Sequence, residues 1–116
     1  MLDNLLQHER MSVEAALSDL PDEPTADELR PWRDRIDAID RAILALMNER
    51  VECAHVIGEI KKRIGLPVYV PSREEQVLRN VEEANEGPLT EAAVRRLFER
   101  VIDETRSLER QKYQDK

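Results

Sequence analysis

Three basic side chains recur along one apolar stripe between residues 33 and 64. Steps of three and four residues through 33–64 follow an a/d heptad seam, and Arg33, Arg50 and Lys61 occupy positions of that seam. A buried cation needs a partner, and Asp40 is the one acid that the seam offers. A bound anion would supply the missing charge, so the pattern predicts an anion-binding site.

Each cation taken alone has a simpler explanation, because a long basic side chain can lie along an apolar face with its charge in water. Helix geometry restricts the site. Arg33 lies about 25 Å from Arg50 along a straight helix, too far to share one small ligand, whereas Lys61 lies about 16 Å from Arg50. Arg33 would have to come from another subunit, and an antiparallel twofold dimer would supply it to two equal sites.

Helices must position these residues. The composition is 37% charged and 3% aromatic with three glycines, which favours an all-α fold. A chain of 116 residues suits one small domain, and such a domain leaves much of its surface wet unless it pairs with another chain. Oligomerisation is therefore expected.

Helix start and stop signals predict a long helix, a short helix and a long helix. The first begins between Asp27 and Pro31, with Asp27 as its cap, and ends at Gly65. Ser72 and Glu75 have the spacing of a capping box, which predicts a second helix running to about residue 85. Thr90 can cap a third helix that continues to about residue 112, since its apolar positions keep a helical period.

The first 26 residues are predicted to form an N-terminal extension, a short helix or a tail followed by a linker, and residues 27–116 the folded domain. The apolar residues of the extension fall roughly on one helical face: Leu2, Leu5, Leu6, Val13, Leu17 and Leu20. The stretch "PDEPTADE" then supplies two prolines and a run of acids.

Several functions are excluded by composition. The formal charge of −7 and the pI near 4.9 disfavour binding to nucleic acid or to an anionic membrane. Cys53 is the only cysteine, His8 and His55 are isolated, and no spacing resembles a metal site. No stretch has the length of a signal peptide core or a membrane span, so we expect a cytoplasmic protein.

Three stretches of the sequence resemble the AroQ-type chorismate mutases: "WRDRIDAIDRAILALMNERVECAHVIGEIK", "PVYVPSREEQVL" and "LFERVIDETRSLER". The resemblance covers roughly residues 29–112. It implies an intertwined, antiparallel, all-helical homodimer that converts chorismate to prephenate in phenylalanine and tyrosine biosynthesis, without metal or coenzyme. This reaction is an intramolecular Claisen rearrangement, which needs no nucleophile, and the sequence contains no nucleophile motif.

The resemblance also implies how the two carboxylates of chorismate are bound. Arg50 and Thr105 would hold one of them, and Lys61 with Arg33 of the partner subunit would hold the other. Lys61 would also stabilise the negative charge that develops on the ether oxygen. Clamping both ends would fold the substrate into its reactive conformation.

Four further residues match the family's site. Glu74 resembles the acceptor for the ring hydroxyl, or it is a helix-start carboxylate near the dipole. The backbone N–H at Val70 can contact the same hydroxyl, and Arg73 either adds positive potential or is solvated. Well-known bacterial members have glutamine where this chain has Glu109. Glutamate can donate to the ether oxygen only when protonated, and a plain surface role is the alternative.

Two other functions are compatible with these residues. Isochorismate-pyruvate lyase shares the helical architecture and a similar set of cations, although Glu74 favours the mutase. A catalytically silent helical dimer that regulates another shikimate-pathway enzyme would form no prephenate.

Overall fold

The computed structural model describes residues 13–114, with side chains up to residue 112. In chain order the elements are α1 (Val13–Ser18), a 3₁₀ turn (Ala26–Leu29), α2 (Arg30–Ile64), α3 (Pro71–Ala84) and α4 (Glu91–Gln114). All regular elements of this part of the chain are helical, which confirms the all-α class and the order long, short, long. The predictions for Leu2, Leu5, Leu6 and His8 lie outside the described residues.

The chain divides into two compact units. The first ends at Glu49 and the second begins at Arg50, so the boundary falls inside α2. The division into an extension of residues 1–26 and a domain of residues 27–116 stays a prediction.

In the first unit, the predicted helix cap at Asp27 is wrong. Thr25 caps the 3₁₀ turn that precedes α2: its hydroxyl accepts a hydrogen bond from the Asp27 N–H at 3.3 Å, and the Glu28 carboxylate accepts one from the Thr25 N–H. The stretch "TADE" has the spacing of a capping box, which places the cap two residues earlier. Hydrogen bonds from the Thr25 backbone and side chain hold the pKa of Glu28 below its usual value. The 3₁₀ turn then leads into α2 at Arg30, within the predicted interval.

In the second unit, α2 ends where the sequence predicts. Gly65 has φ +77°, a left-handed conformation that favours glycine, and the Leu66 N–H donates to the Lys61 carbonyl at 2.8 Å. This is the hydrogen bond of a Schellman motif. The carboxyl end of α2 is therefore fixed about one helical turn after Lys61.

The predicted capping box of Ser72 and Glu75 is wrong. The cap of α3 is Val70, which has an extended backbone and no side-chain hydrogen bond, and Pro71 occupies the first turn. Proline suits this position because its fixed φ is helical and it has no N–H to leave unpaired. The helix thus starts before Ser72.

The remaining boundaries agree with the predictions. Helix α3 ends at Ala84, and the Thr90 hydroxyl caps α4 by accepting a hydrogen bond from the Ala93 N–H at 3.1 Å. Helices α3 and α4 pack against each other, with Leu78 and Val94 buried.

Arg95 on α4 connects the two helices by ion pairs. Its guanidinium reaches Glu75 and Glu82 of α3 at 3.0 Å each, and Glu99 of its own helix at 3.2 Å.

Large apolar side chains remain exposed in each unit. Those on α2 that are more than half exposed are Ile36, Ile43 and Leu44 in the first unit and Val56, Ile57, Ile60 and Ile64 in the second. Exposed apolar surface of this extent is typical of an interaction face.

Candidate active site

A cavity of about 900 Å³ lies within the second unit. It is formed by the carboxyl-terminal half of α2, the loop before α3, and helices α3 and α4. Its size suits a small-molecule ligand. Seven of the eight sequence-predicted site residues line it: Arg50, Lys61, Val70, Arg73, Glu74, Thr105 and Glu109. Arg33 belongs to the first unit and is not among the lining residues.

The cavity is positively charged although the chain is acidic. Among the described residues that line it, five are basic and two are carboxylates, which leaves three positive charges in excess. The basic residues are Arg50, Lys61, Arg73, Arg106 and Arg110, and the acids are Glu74 and Glu109. The whole chain carries a formal charge of −7. Low-dielectric walls concentrate such a local field, so the cavity favours an anionic ligand.

Arg50 and Thr105 are in direct contact. The Arg50 Nη1 donates to the Thr105 hydroxyl at 3.1 Å, and that hydroxyl donates to the Val101 carbonyl at 2.9 Å. The hydroxyl is thereby fixed by its own helix and orients the guanidinium from α2. The predicted pair is brought together, with both polar groups facing the cavity.

Lys61 is held by the loop that follows α2. Its Nζ donates to the Val68 carbonyl at 3.2 Å, and the side chain is partly buried. An ammonium group has three donors, so this bond leaves others available to a ligand.

Glu74 has a partner that the sequence analysis missed. Arg106 of α4 forms an ion pair with its Oε1, and the Arg106 guanidinium lies over the Tyr69 ring, 4.5 Å from the centroid. The hydrogen bond to Glu74 raises the pKa of Arg106 further above its usual value, so the guanidinium stays charged. The only sequence signal was a cation next to Thr105, which resembled a solvated residue.

Arg73 also lines the cavity, but its side chain is exposed. Its Nη1 donates to the Gln76 side chain at 2.8 Å. The contact is within α3, so it restrains the guanidinium without binding it to another element.

Glu109 is buried, with 6% of its surface exposed, so the alternative of a plain surface glutamate is wrong. Its Oε1 contacts the Nδ1 of His55 on α2. His55, which the sequence places apart from other candidate metal ligands, meets the α4 carboxylate within the second unit.

Other site types find no support in residues 13–114. No group of three or more metal-ligating side chains is placed to hold an ion there. None of the helices in that range is long and apolar enough to cross a membrane.

Known proteins are similar to this chain in sequence. Residues 32–110 match the family described as chorismate mutase type II. The chain is 48% identical to a bifunctional chorismate mutase/prephenate dehydratase of Neisseria gonorrhoeae, over 74% of this chain and 24% of that protein. It is 30% identical to a chorismate mutase of Methanocaldococcus jannaschii, over 73% of this chain and 87% of that protein.

Solved structures agree in fold. Two structures of chorismate mutase from Thermus thermophilus superpose with TM-scores of 0.65 and 0.68, at 32% and 33% identity. They cover 66% and 71% of this chain, and 96% and 93% of their own. Fold and site define an all-helical protein with a cavity for an anionic small molecule. The chain belongs to the chorismate mutase type II family, and it spans 24% of the length of the bifunctional relatives that it matches.

Proposed function

We propose that this protein rearranges chorismate to prephenate. The observation that carries the proposal is the cavity with three excess positive charges in an acidic chain. Chorismate is a dianion, and its rearrangement breaks one C–O bond and forms one C–C bond within the same molecule. Electrostatic binding and orientation are therefore the main contributions that a protein can make.

Arg50 and Thr105 are placed to bind one carboxylate together. Thr105 already orients the guanidinium in the free protein, so little rotamer freedom remains to be lost on binding. Lys61, on the next turns of the same helix, binds the other carboxylate and the ether oxygen. Its charge acts most strongly in the transition state, when the ether oxygen becomes partly negative.

Glu74 and the Val70 N–H receive the ring hydroxyl. Arg106 holds Oε1 of Glu74, which leaves Oε2 free to accept the hydroxyl proton in a hydrogen bond. Arg73 adds positive potential at the cavity edge.

The active form is an antiparallel homodimer of the domain at residues 27–116, in which Arg33 of the partner subunit completes each site. The exposed isoleucines and leucines of α2 support it, since a monomer would leave them in water. Twofold symmetry then gives two equal sites.

The test is the loss of chorismate absorbance on adding the purified protein, with prephenate identified by acid conversion to phenylpyruvate. The proposal expects prephenate in stoichiometric yield. Pyruvate release from isochorismate, with chorismate untouched, would identify a lyase instead. No turnover of either substrate would indicate a silent dimer.

Glu109 predicts a pH dependence. If the carboxyl donates a hydrogen bond to the ether oxygen, its protonated form is the active one. Glu109 takes up its proton as pH falls, so kcat/KM should rise from neutral pH toward mild acid until the fold itself fails. Glu109→Gln supplies a permanent donor of similar shape. It should flatten the profile and increase activity at neutral pH, as measured by kcat/KM across the pH range.

The matched control is Glu104→Gln, on the exposed face of the same helix. This substitution removes one carboxylate outside the cavity, so the dependence of kcat/KM on pH should be the same as in the wild type. A wild-type profile already flat between mild acid and neutral pH, together with an unchanged Glu109→Gln enzyme, would show that Glu109 does not touch the ether oxygen.

A further inference from the structure

The contact between His55 and Glu109 is separate from the groups that bind the substrate. Glu109 lines the cavity, whereas His55 does not. The Glu109 side chain is 8% exposed and the His55 side chain 32%, with the Nδ1 atom itself shielded from water. The imidazole therefore lies behind the carboxyl, with part of its ring in contact with solvent.

Both carboxylate oxygens of Glu109 are shielded from water. In the described part of the chain neither oxygen has a hydrogen-bond partner, and Oε1 alone has the close contact with His55 Nδ1. A buried carboxyl oxygen without a partner is costly, so it requires a proton or a ligand.

We propose that His55 is a positioning residue for Glu109: its Nδ1 engages Oε1, directs Oε2 to the bound substrate, and sets the pH at which Glu109 becomes a donor. The inference rests on the proposed mutase function, since the donor acts on the ether oxygen. His55 touches neither substrate nor reacting atoms and acts only through Glu109.

The proton balance gives the direction of the effect. In the arrangement that the proposal requires, the His55 Nδ1–H donates to Oε1 of the Glu109 carboxylate, and the pair carries one negative charge. One further proton can bind in two places. On Oε2 it creates the donor to the substrate, while Nδ1–H still holds Oε1. On Nε2 it creates an imidazolium beside a carboxylate, with no donor.

These two sites compete for the proton. A free imidazole is protonated near pH 6.5 and a free glutamate near about 4.3, so the ring has the higher intrinsic affinity. Its partial exposure lets water solvate the imidazolium. Protonation of Nε2 therefore competes with the donor form of Glu109, and a residue that cannot take up a proton removes this competition.

Other charged groups line the same cavity as Glu109, on each of the three helices around it. The cations are Arg50 and Lys61 on α2, Arg73 on α3, and Arg106 and Arg110 on α4. The remaining titratable groups that line the cavity are Cys53, Tyr69 and Glu74. The cations favour the carboxylate and Glu74 opposes it. They are the same in wild type and in His55 variants, so their effect cancels in the comparison.

The first test replaces His55 with asparagine. The asparagine Nδ2–H can occupy the place of Nδ1–H, but it cannot take up a proton. The rise of kcat/KM with falling pH should move to higher pH by about one unit, with the acid plateau unchanged. His55→Phe removes both the hydrogen-bond donor and the group that can take up a proton, so the kcat/KM of this variant at the acid plateau should also fall. In a Glu109→Gln background, His55→Asn should alter neither the shape of the profile nor its height.

The second test needs no activity and uses the folded protein directly. The chain has two histidines, so His8→Asn assigns both imidazole proton signals in an NMR titration. The titration midpoint of His55 should fall by about one pH unit in Glu109→Gln, because the partner charge is lost. An unchanged midpoint, or an unshifted kcat/KM profile in folded His55→Asn, would overturn the proposal. Absence of chorismate turnover in every variant, with the midpoint still shifted, would refute the proposed function instead.

Discussion

Lys61→Ala should lower kcat/KM by at least about 3 kcal/mol of transition-state stabilisation, a loss of more than a hundredfold. The ammonium is partly buried and lines the cavity, so its charge acts in a medium that screens it less than water does. The loss should appear in kcat as well as in KM, because charge on the ether oxygen develops only as the C–O bond breaks. Steady-state kinetics with chorismate measure both constants.

Lys62→Ala is the matched control, since Lys62 is the next residue of the same turn and does not line the cavity. It should retain near-normal turnover, and both variants should unfold at similar temperatures. Near-normal turnover in Lys61→Ala would show that Lys61 does not act in catalysis and only lies along an apolar face with its charge in water.

Mixed dimers should recover activity that neither parent has. Arg33→Ala and Lys61→Ala chains should each be nearly inactive alone. After the two are mixed and refolded together, half of the dimers are heterodimers, and one of the two sites in each has neither substitution. Activity should return to about a quarter of the wild-type value, the share of intact sites that twofold symmetry gives.

Arg50→Ala mixed with Lys61→Ala is the negative control. Both residues come from the same subunit in the proposed arrangement, so each site of the heterodimer keeps one defect and no activity returns. Heterodimers demonstrated by native mass spectrometry, without recovery in the Arg33 experiment, would mean that each site is built within one chain.

The helical architecture could be predicted from local signals in the sequence. Gly65 marks the end of α2 because its left-handed backbone favours glycine, and Thr90 caps α4 through its hydroxyl. The two incorrect caps arose where neighbouring signals competed. Thr25, two residues before Asp27, caps the 3₁₀ turn, and Val70, two residues before Ser72, is the cap of α3, with Pro71 in its first turn.

The cavity was predictable in part. Arg50 and Lys61 followed from a periodic pattern along one helix, and Thr105 followed from the family resemblance. The contacts of Glu74 and Glu109 could not be predicted in this way, since Arg106 and His55 come from other helices. Contacts across helices depend on the rotation of each helix about its axis, and spacing along one chain segment does not determine it.

The hydrogen bond from Lys61 to the Val68 carbonyl makes substrate capture an exchange reaction. The free protein already gives one of the three ammonium donors a neutral acceptor. The substrate carboxylate can take another donor, and the ether oxygen replaces the carbonyl on the first. The free energy gained is then only the difference between two acceptors, and this difference is small for a neutral ether and large for an oxygen that carries negative charge. Because the loop carbonyl already accepts this hydrogen bond in the free protein, the contact of Lys61 with the ether oxygen stabilises the transition state more than it stabilises the resting substrate.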